Sequence, residues 1–181
     1  MPSNGYWSTT MANDDRDLKK SNFLKGLNSG SKSGSKSMFG DFPFILNDYY
    51  DQALIEKLIT QGIVTEDDKV IAARMSRDLP DYPSRAIWLE QKDFEHLLAR
   101  HTNRFNIFGI SLDPQTIGNL IFQAFTKYPI VRTEPGRVSG TVVYVYEIRR
   151  PGGSGYIHAV VDRDGHIVTA YTTKRLSSST Y

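Results

Sequence analysis

The dipeptide Asp164-Gly165, set between two β-branched runs, constrains this chain's fold more than any other feature. Asp-Gly flanked by alternating apolar residues is a strong hairpin signal, because glycine takes positive φ at no steric cost. The segment Tyr156–Lys174 is therefore predicted to form a β-hairpin with Asp164 and Gly165 as its two loop residues. That register sets Arg163 opposite His166, Val160 opposite Thr169 and His158 opposite Tyr171. Side chains alternate along a strand with a period of two. One face of the ribbon then carries His158, Thr169, Tyr171 and Thr173, and the other carries Ile157, Ala159, Val161, Val168 and Ala170. The apolar face is expected to meet a core and the polar face a ligand.

Further strands are expected at roughly 129–134 and 141–149, ahead of hairpin strands at 156–162 and 166–173, with Arg149–Gly155 as a connecting loop. Asp113-Pro114 marks a helix start, Asp capping and Pro in the first helical position, with Ile117, Leu120, Ile121, Ala124 and Phe125 as its buried stripe. Lys92 to Arg100 reads as a short helix whose stripe of Phe94, Leu97 and Leu98 is continued by His101, while His96 points away. Nearer the N-terminus, Asn47 or Asp48 caps a helix with Leu54, Ile55, Leu58 and Ile59 that Gly62 closes. Thr65-Glu-Asp-Asp68 resembles a capping box and predicts a second helix carrying Val70, Ile71 and Met75, ended by Pro80 and Pro83. Ser84–Leu89 is expected to be extended. The Gly/Ser/Lys run Ser29–Ser37 cannot bury enough apolar surface to offset its ordering entropy, so residues 1–40 are expected to be a disordered tether. The class is α+β: N-terminal helices followed by an antiparallel β-sheet, divided as 1–40 tether, 41–91 acidic helical subdomain and 92–181 α+β domain.

Composition narrows the function. Apolar residues make up 39%, below the usual share of about 45–50%, as a polar tether requires. There is no cysteine, which excludes disulfides, thiolate metal sites and thiol nucleophiles. No apolar run approaches the roughly 20 residues of a membrane span, and Met1–Trp7 lacks the pattern of a signal peptide. A soluble protein is expected. The net charge of +2 conceals a split: 1–40 holds six Lys/Arg against three Asp/Glu, 41–91 five against ten, and 92–181 eleven against seven. The basic C-terminal part points to a polyanionic partner.

Of the four histidines, His96, His101 and His158 fall where one sheet surface can gather them. Imidazole, with an ordinary pKa near 6.5, serves as acid or base around neutral pH. RNA cleavage needs one group to take the 2′-hydroxyl proton and another to protonate the leaving 5′-oxygen, with donors around the developing phosphorane. Thr169 and Tyr171 project from one face of the last strand, where two hydroxyls can hold a phosphate and a ring can stack on a base. Lys174 and Arg175 beyond the strand, with Arg149 and Arg150 before the preceding turn, supply phosphate contacts. His96 and His101 are five positions apart, about 140° around a helix, and there is no His-Glu-x-x-His motif or phosphate-cradling glycine loop. No metal and no cofactor are expected.

Phe94–His101, the helix from about Pro114 and the ending Asp164–Thr172 together resemble the barnase–EndoU–colicin–RelE (BECR) group of ribonucleases. The likeness spans roughly residues 90–175 and is nearest to EndoU-like domains at the C-termini of contact-dependent and phage-borne bacterial effectors. It implies a metal-independent endoribonuclease toxin that leaves 2′,3′-cyclic phosphate ends, often on tRNA, acts in the bacterial cytoplasm after delivery within a longer effector, and is held by a cognate immunity protein. Residue by residue, Arg100-His101 matches the helix-borne catalytic histidine, and Thr169 with Tyr171 matches the Thr-x-Tyr pair of the final strand. The family's second histidine in a glycine-rich loop has no counterpart in Asn103–Gly109. Either His96 or His158 supplies the second titrating group, or Lys127, Lys174 and Arg104 compensate as cations, or the site has lost its activity and the fold serves as a binding module.

Overall fold

A computed structural model describes residues 5–7, 44–77, 79 and 86–177. The expected tether lies outside these residues except for β1 (Gly5–Trp7), which runs parallel to β2 (Lys69–Met75) at Lys69. The C-terminal half contains β4 (Ile130–Pro135), β5 (Thr141–Arg150), β6 (Gly153–Asp162) and β7 (Ile167–Thr173), an antiparallel sheet in the order β4-β5-β6-β7. Four strands are found where four are expected, but the loop expected over Arg149–Gly155 shrinks to Pro151-Gly152, because Arg149 and Arg150 pair with Ser154 and Gly153 and extend β5 and β6.

The tip of the hairpin differs from the expected two-residue loop. The Gly165 N–H donates to Asp162 O at 3.1 Å and the Asp162 N–H to His166 O at 3.0 Å, so Arg163, Asp164 and Gly165 form a three-residue loop with Gly165 at φ 88°. The cause is Asp162: its Oδ1 accepts the N–H groups of Asp164 at 2.9 Å and His166 at 3.1 Å, an Asx-type turn that holds the longer loop. The extra residue shifts the register by one, and a bulge at Ile167-Val168 shifts it back. Val160 therefore still faces Thr169 and His158 still faces Tyr171, but Ile167 takes the core position expected for Val168.

In the N-terminal half, α1 (Gln52–Thr60) is capped by Asp51, whose carboxylate accepts the Leu54 N–H at 3.1 Å. Asn47 instead begins a 3-10 turn, Asn47–Tyr49. The second helix expected from Thr65 is not there. The Thr65 N–H donates to the Asp68 carboxylate and the Asp68 N–H returns to Thr65 O, closing a turn rather than opening a helix. The chain continues as β2, antiparallel to β3 (Ala86–Glu90). Val70 and Ala73 enter a small core with Leu54, Ile55, Leu58 and Trp88, while Ile71 and Ala72 enter the main core. A segment apolar on both sides is a buried strand, and over so short a run it imitates a helical stripe. The class is thus α+β with antiparallel sheets, but the order is α1, two strands, two helices and the four-stranded sheet rather than helices first.

Next come α2 (Gln91–His101), a 3-10 segment Thr102–Phe108 and α3 (Pro114–Lys127). The Asp113 carboxylate accepts the Thr116 N–H at 2.9 Å, the cap read from Asp-Pro. Buried Ile117, Leu120, Ile121, Phe122 and Phe125 of α3 share the main core with Tyr144, Tyr146 and Ile148 of β5 and with Ile157 and Ala159 of β6. Burying a side chain of this size contributes about 1.5–3 kcal/mol. Leu46, Ile71, Ile87 and Leu89 belong to the same core, so it is continuous across position 91. The β5–β6 loop presses on the end of the 3-10 segment: a Cβ at Gly109 (φ 65°) would lie 2.5 Å from Gly152 O, and one at Gly153 2.0 Å from Ile107 O. The glycines of Pro151–Gly155 therefore serve close backbone approach. No helix among the described residues is long and apolar enough to cross a membrane.

Candidate functional site

Residues paired across an antiparallel ladder share a face. Arg132 pairs with Val145, Val145 with His158 and His158 with Tyr171, so these four form one row across the face opposite the main core. The His158 and Tyr171 rings stack at 4.7 Å and 11°. His101, the last residue of α2, brings its ring to 6.0 Å from Tyr171 at 44°, beside edge strand β7. The order is His101, Tyr171, His158: two imidazoles on either side of a phenol.

Both rings are held toward the neutral form. Burial pulls the His101 pKa below 6.5, helped by the charges of Arg104, Arg100 and His96. Its Nδ1 is buried without a hydrogen-bond partner. Burial likewise lowers His158, with Glu134 opposing and Arg132 assisting. His158 is 8% exposed, and its Nε2 lies 2.9 Å from Thr173 Oγ1, a hydrogen bond that fixes the ring. Burial raises the Tyr171 hydroxyl, and Glu134 adds to the effect.

The other sequence candidates scatter. Thr169 occupies the adjoining row of the same face, with Glu134, Val143 and Val160. Arg100 and Arg104 are exposed around His101, and Lys174 and Arg175 are exposed just past β7. His96 is exposed on α2 and reaches His101 only through its charge. Arg149 is exposed and paired with Glu147 at 2.9 Å. Arg150 alternates onto the core-facing side, where its Nε is buried without a partner. Lys127 is exposed in the last turn of α3, which packs on that same core side.

A second cluster is not foreshadowed by the sequence, which sets His166 only as the first residue of the last strand, opposite Arg163. His166 Nε2–H donates to Asp93 Oδ2 at 2.6 Å, its Nδ1 lies 3.6 Å from Asp162 Oδ2, and Glu90 Oε2 is 4.0 Å from Nε2. The imidazole stacks on Trp88 at 4.3 Å and 12°. Trp88 in turn pins the hairpin tip, its backbone N–H donating to Gly165 O at 3.0 Å and its Nε1–H to Asp164 O at 3.1 Å. Burial alone would lower the His166 pKa, but Asp93, Asp162 and Glu90 carry it up to about 10. Glu90, buried and beside Asp93, is raised to about 7 despite His166 and Lys92. The only local signal was the i,i+4 pair Asp162/His166; Asp93 is 73 positions away. No protein-family model matches the chain, and no curated protein matches it.

Proposed function

We propose that the chain cleaves RNA by metal-independent transesterification at the sheet face opposite the main core, with His101 and His158 as the acid–base pair. The observation that carries this reading is the run of rings His101–Tyr171–His158. One neutral imidazole takes the 2′-hydroxyl proton, and the other, in its protonated form, delivers a proton to the departing 5′-oxygen. The Tyr171 hydroxyl and the exposed guanidinium groups of Arg100 and Arg104 are available to the phosphate and its developing charge. The BECR resemblance adds tRNA as the substrate, 2′,3′-cyclic ends as the product and an immunity protein as the partner. A second reading, a binding module without catalysis, is favoured by the burial of His158 and its engagement by Thr173.

Incubating the protein with total tRNA in EDTA, beside His101→Ala, separates the two. Discrete fragments with cyclic-phosphate ends from the wild type, and loss of about 10²–10⁴-fold in rate in the variant, are expected. Equal cleavage by His101→Ala would refute the assignment, and binding of intact RNA would favour the module. Because both imidazoles titrate below 6.5, the form with one ring neutral and one protonated peaks on the acid side of that value. Cleavage is expected to be fastest in weakly acidic buffer, and an alkaline optimum in a pH–rate profile would contradict the pairing.

A further inference from the structure

Trp88, Glu90, Asp93, Asp162 and His166 form a second polar centre at the junction of β3, the first turn of α2 and the β6–β7 tip. It uses a different histidine from the ring stack, five residues before Tyr171 in sequence, roughly 16 Å along an extended strand.

We propose that Glu90, Asp93 and His166 bind one divalent first-row transition-metal ion, with zinc the best fit, which ties α2 to the hairpin tip. Each residue offers one ligand atom, and the three atoms lie within 4.8 Å of one another. An imidazole nitrogen with two carboxylates suits zinc or manganese and disfavours magnesium and calcium, which select all-oxygen sets.

The surroundings match what a histidine ligand needs. A ligating imidazole usually gives its other ring nitrogen to a carboxylate, which fixes tautomer and orientation. Asp162 stands in that position, 3.6 Å from Nδ1, and its other oxygen is locked by two backbone N–H groups. Trp88 fixes the plane of the ring from one side. The donors sit on rigid elements, Glu90 and Asp93 at the start of a helix and His166 beside a turn that Trp88 pins.

Little movement is required. Bonds of about 2.0–2.1 Å at tetrahedral angles set ligand atoms roughly 3.3 Å apart. The Nε2–Asp93 distance of 2.6 Å opens by roughly 0.7 Å on that geometry, and the Nε2–Glu90 distance of 4.0 Å closes by a similar amount. The ion takes the place of the proton that Nε2 shares with Asp93, and that proton leaves to solvent. The side chains of His166 and Asp93 are 17% and 21% exposed, which leaves room for water in a fourth position. The positive end of α2 and Lys92, 3.5 Å from Glu90, oppose a cation, but once the Nε2 proton has left, three carboxylates against one ammonium leave the centre with excess negative charge that a dication offsets.

Cobalt(II) titrated into the metal-free full chain tests the site without recourse to RNA. The expected result is one equivalent bound, with the visible absorption of a four-coordinate N/O site, displaced by one equivalent of zinc and not by excess magnesium. Trp88 reports position: with Trp7→Phe removing the other of the chain's two tryptophans, its emission should change in step with binding. Glu90→Gln keeps the His166–Asp93 bond and should weaken cobalt binding by at least 10-fold. No binding by the wild type, displacement by magnesium, or unchanged affinity in Glu90→Gln each overturns the proposal and leaves a plain ion pair. If Glu90→Gln fails to fold, the stoichiometry and the Trp88 response of the wild type decide.

Discussion

His158 and His166 stand eight residues apart on one hairpin, both largely shielded from water and both stacked on an aromatic ring, yet their pKa values are displaced in opposite directions. His158 faces Tyr171 and Thr173, neutral groups, and burial drives its pKa down. His166 is surrounded by Asp93, Asp162 and Glu90, and their charges reverse the effect of burial. Burial therefore does not by itself fix the state of a histidine: it disfavours the cation at both sites, and only at His166 do the surrounding carboxylates outweigh it. On the sheet face opposite the main core this yields a neutral imidazole held by Thr173. At the hairpin tip it yields an imidazolium that clips two sheets together.

The largest test of that contrast is His166→Ala. It removes the shared cation of Asp93, Asp162 and Glu90, leaving, among the described residues, only Glu90 with another cationic partner, Lys92 at 3.5 Å, and removing one partner of a buried pair costs about 3–5 kcal/mol. With the pair 17% and 21% exposed, a loss near the lower end, about 3 kcal/mol, is expected in urea unfolding at pH 7. His158→Ala removes a neutral ring and should cost less. Equal losses would mean that packing alone governs both sites.

Titration sharpens the same contrast. The folded pKa of His166, about 10, exceeds its ordinary 6.5, so its stabilisation is complete below 6.5 and is lost as pH rises toward 10. Glu90 is raised from 4.5 to about 7, so its protonated form supports the fold below 4.5 and that support is lost as pH climbs to 7. His158 runs the other way: its depressed pKa gives a contribution present above 6.5 that falls away as acid charges the ring. Glu90→Gln should remove a decline of about 2–3 kcal/mol between pH 4.5 and 7, at about 1.4 kcal/mol per unit. A variant whose stability still falls across that window would show that another group titrates there.

Why one centre was legible in the sequence and the other was not follows from the same geometry. The pairing of His158 with Tyr171 rests on strand alternation and an Asp-Gly turn, both local, and it survived a misjudged loop length because the bulge at Ile167-Val168 restored the register. His101 was found as the end of an apolar stripe on α2. The second centre joins β3, α2 and the hairpin tip, which meet only through tertiary packing, so no spacing announces it. Reading 69–75 as a helix hid it further. Ser84–Leu89 reads as extended, and β3 forms there, but with its partner β2 taken for a helix nothing places Trp88 beneath the hairpin tip, where its ring and backbone hold the segment containing His166. Thr65–Asp68 misled because one pattern of hydroxyl and acid serves both helix caps and tight turns.

The smallest expected effect belongs to Thr173→Val, which keeps the shape and β-propensity of the residue while deleting the oxygen 2.9 Å from His158 Nε2. Losing one hydrogen bond of this kind costs about 1 kcal/mol. The stack on Tyr171 at 4.7 Å remains, so the ring stays in place but loses its rotational lock. Unfolding should shift by that small amount, and RNA cleavage should fall more than stability does, because a base that turns freely spends less time aligned with its proton. If Thr173→Val lowers stability and cleavage in proportion, His158 is a packing residue and not a member of the proposed acid–base pair.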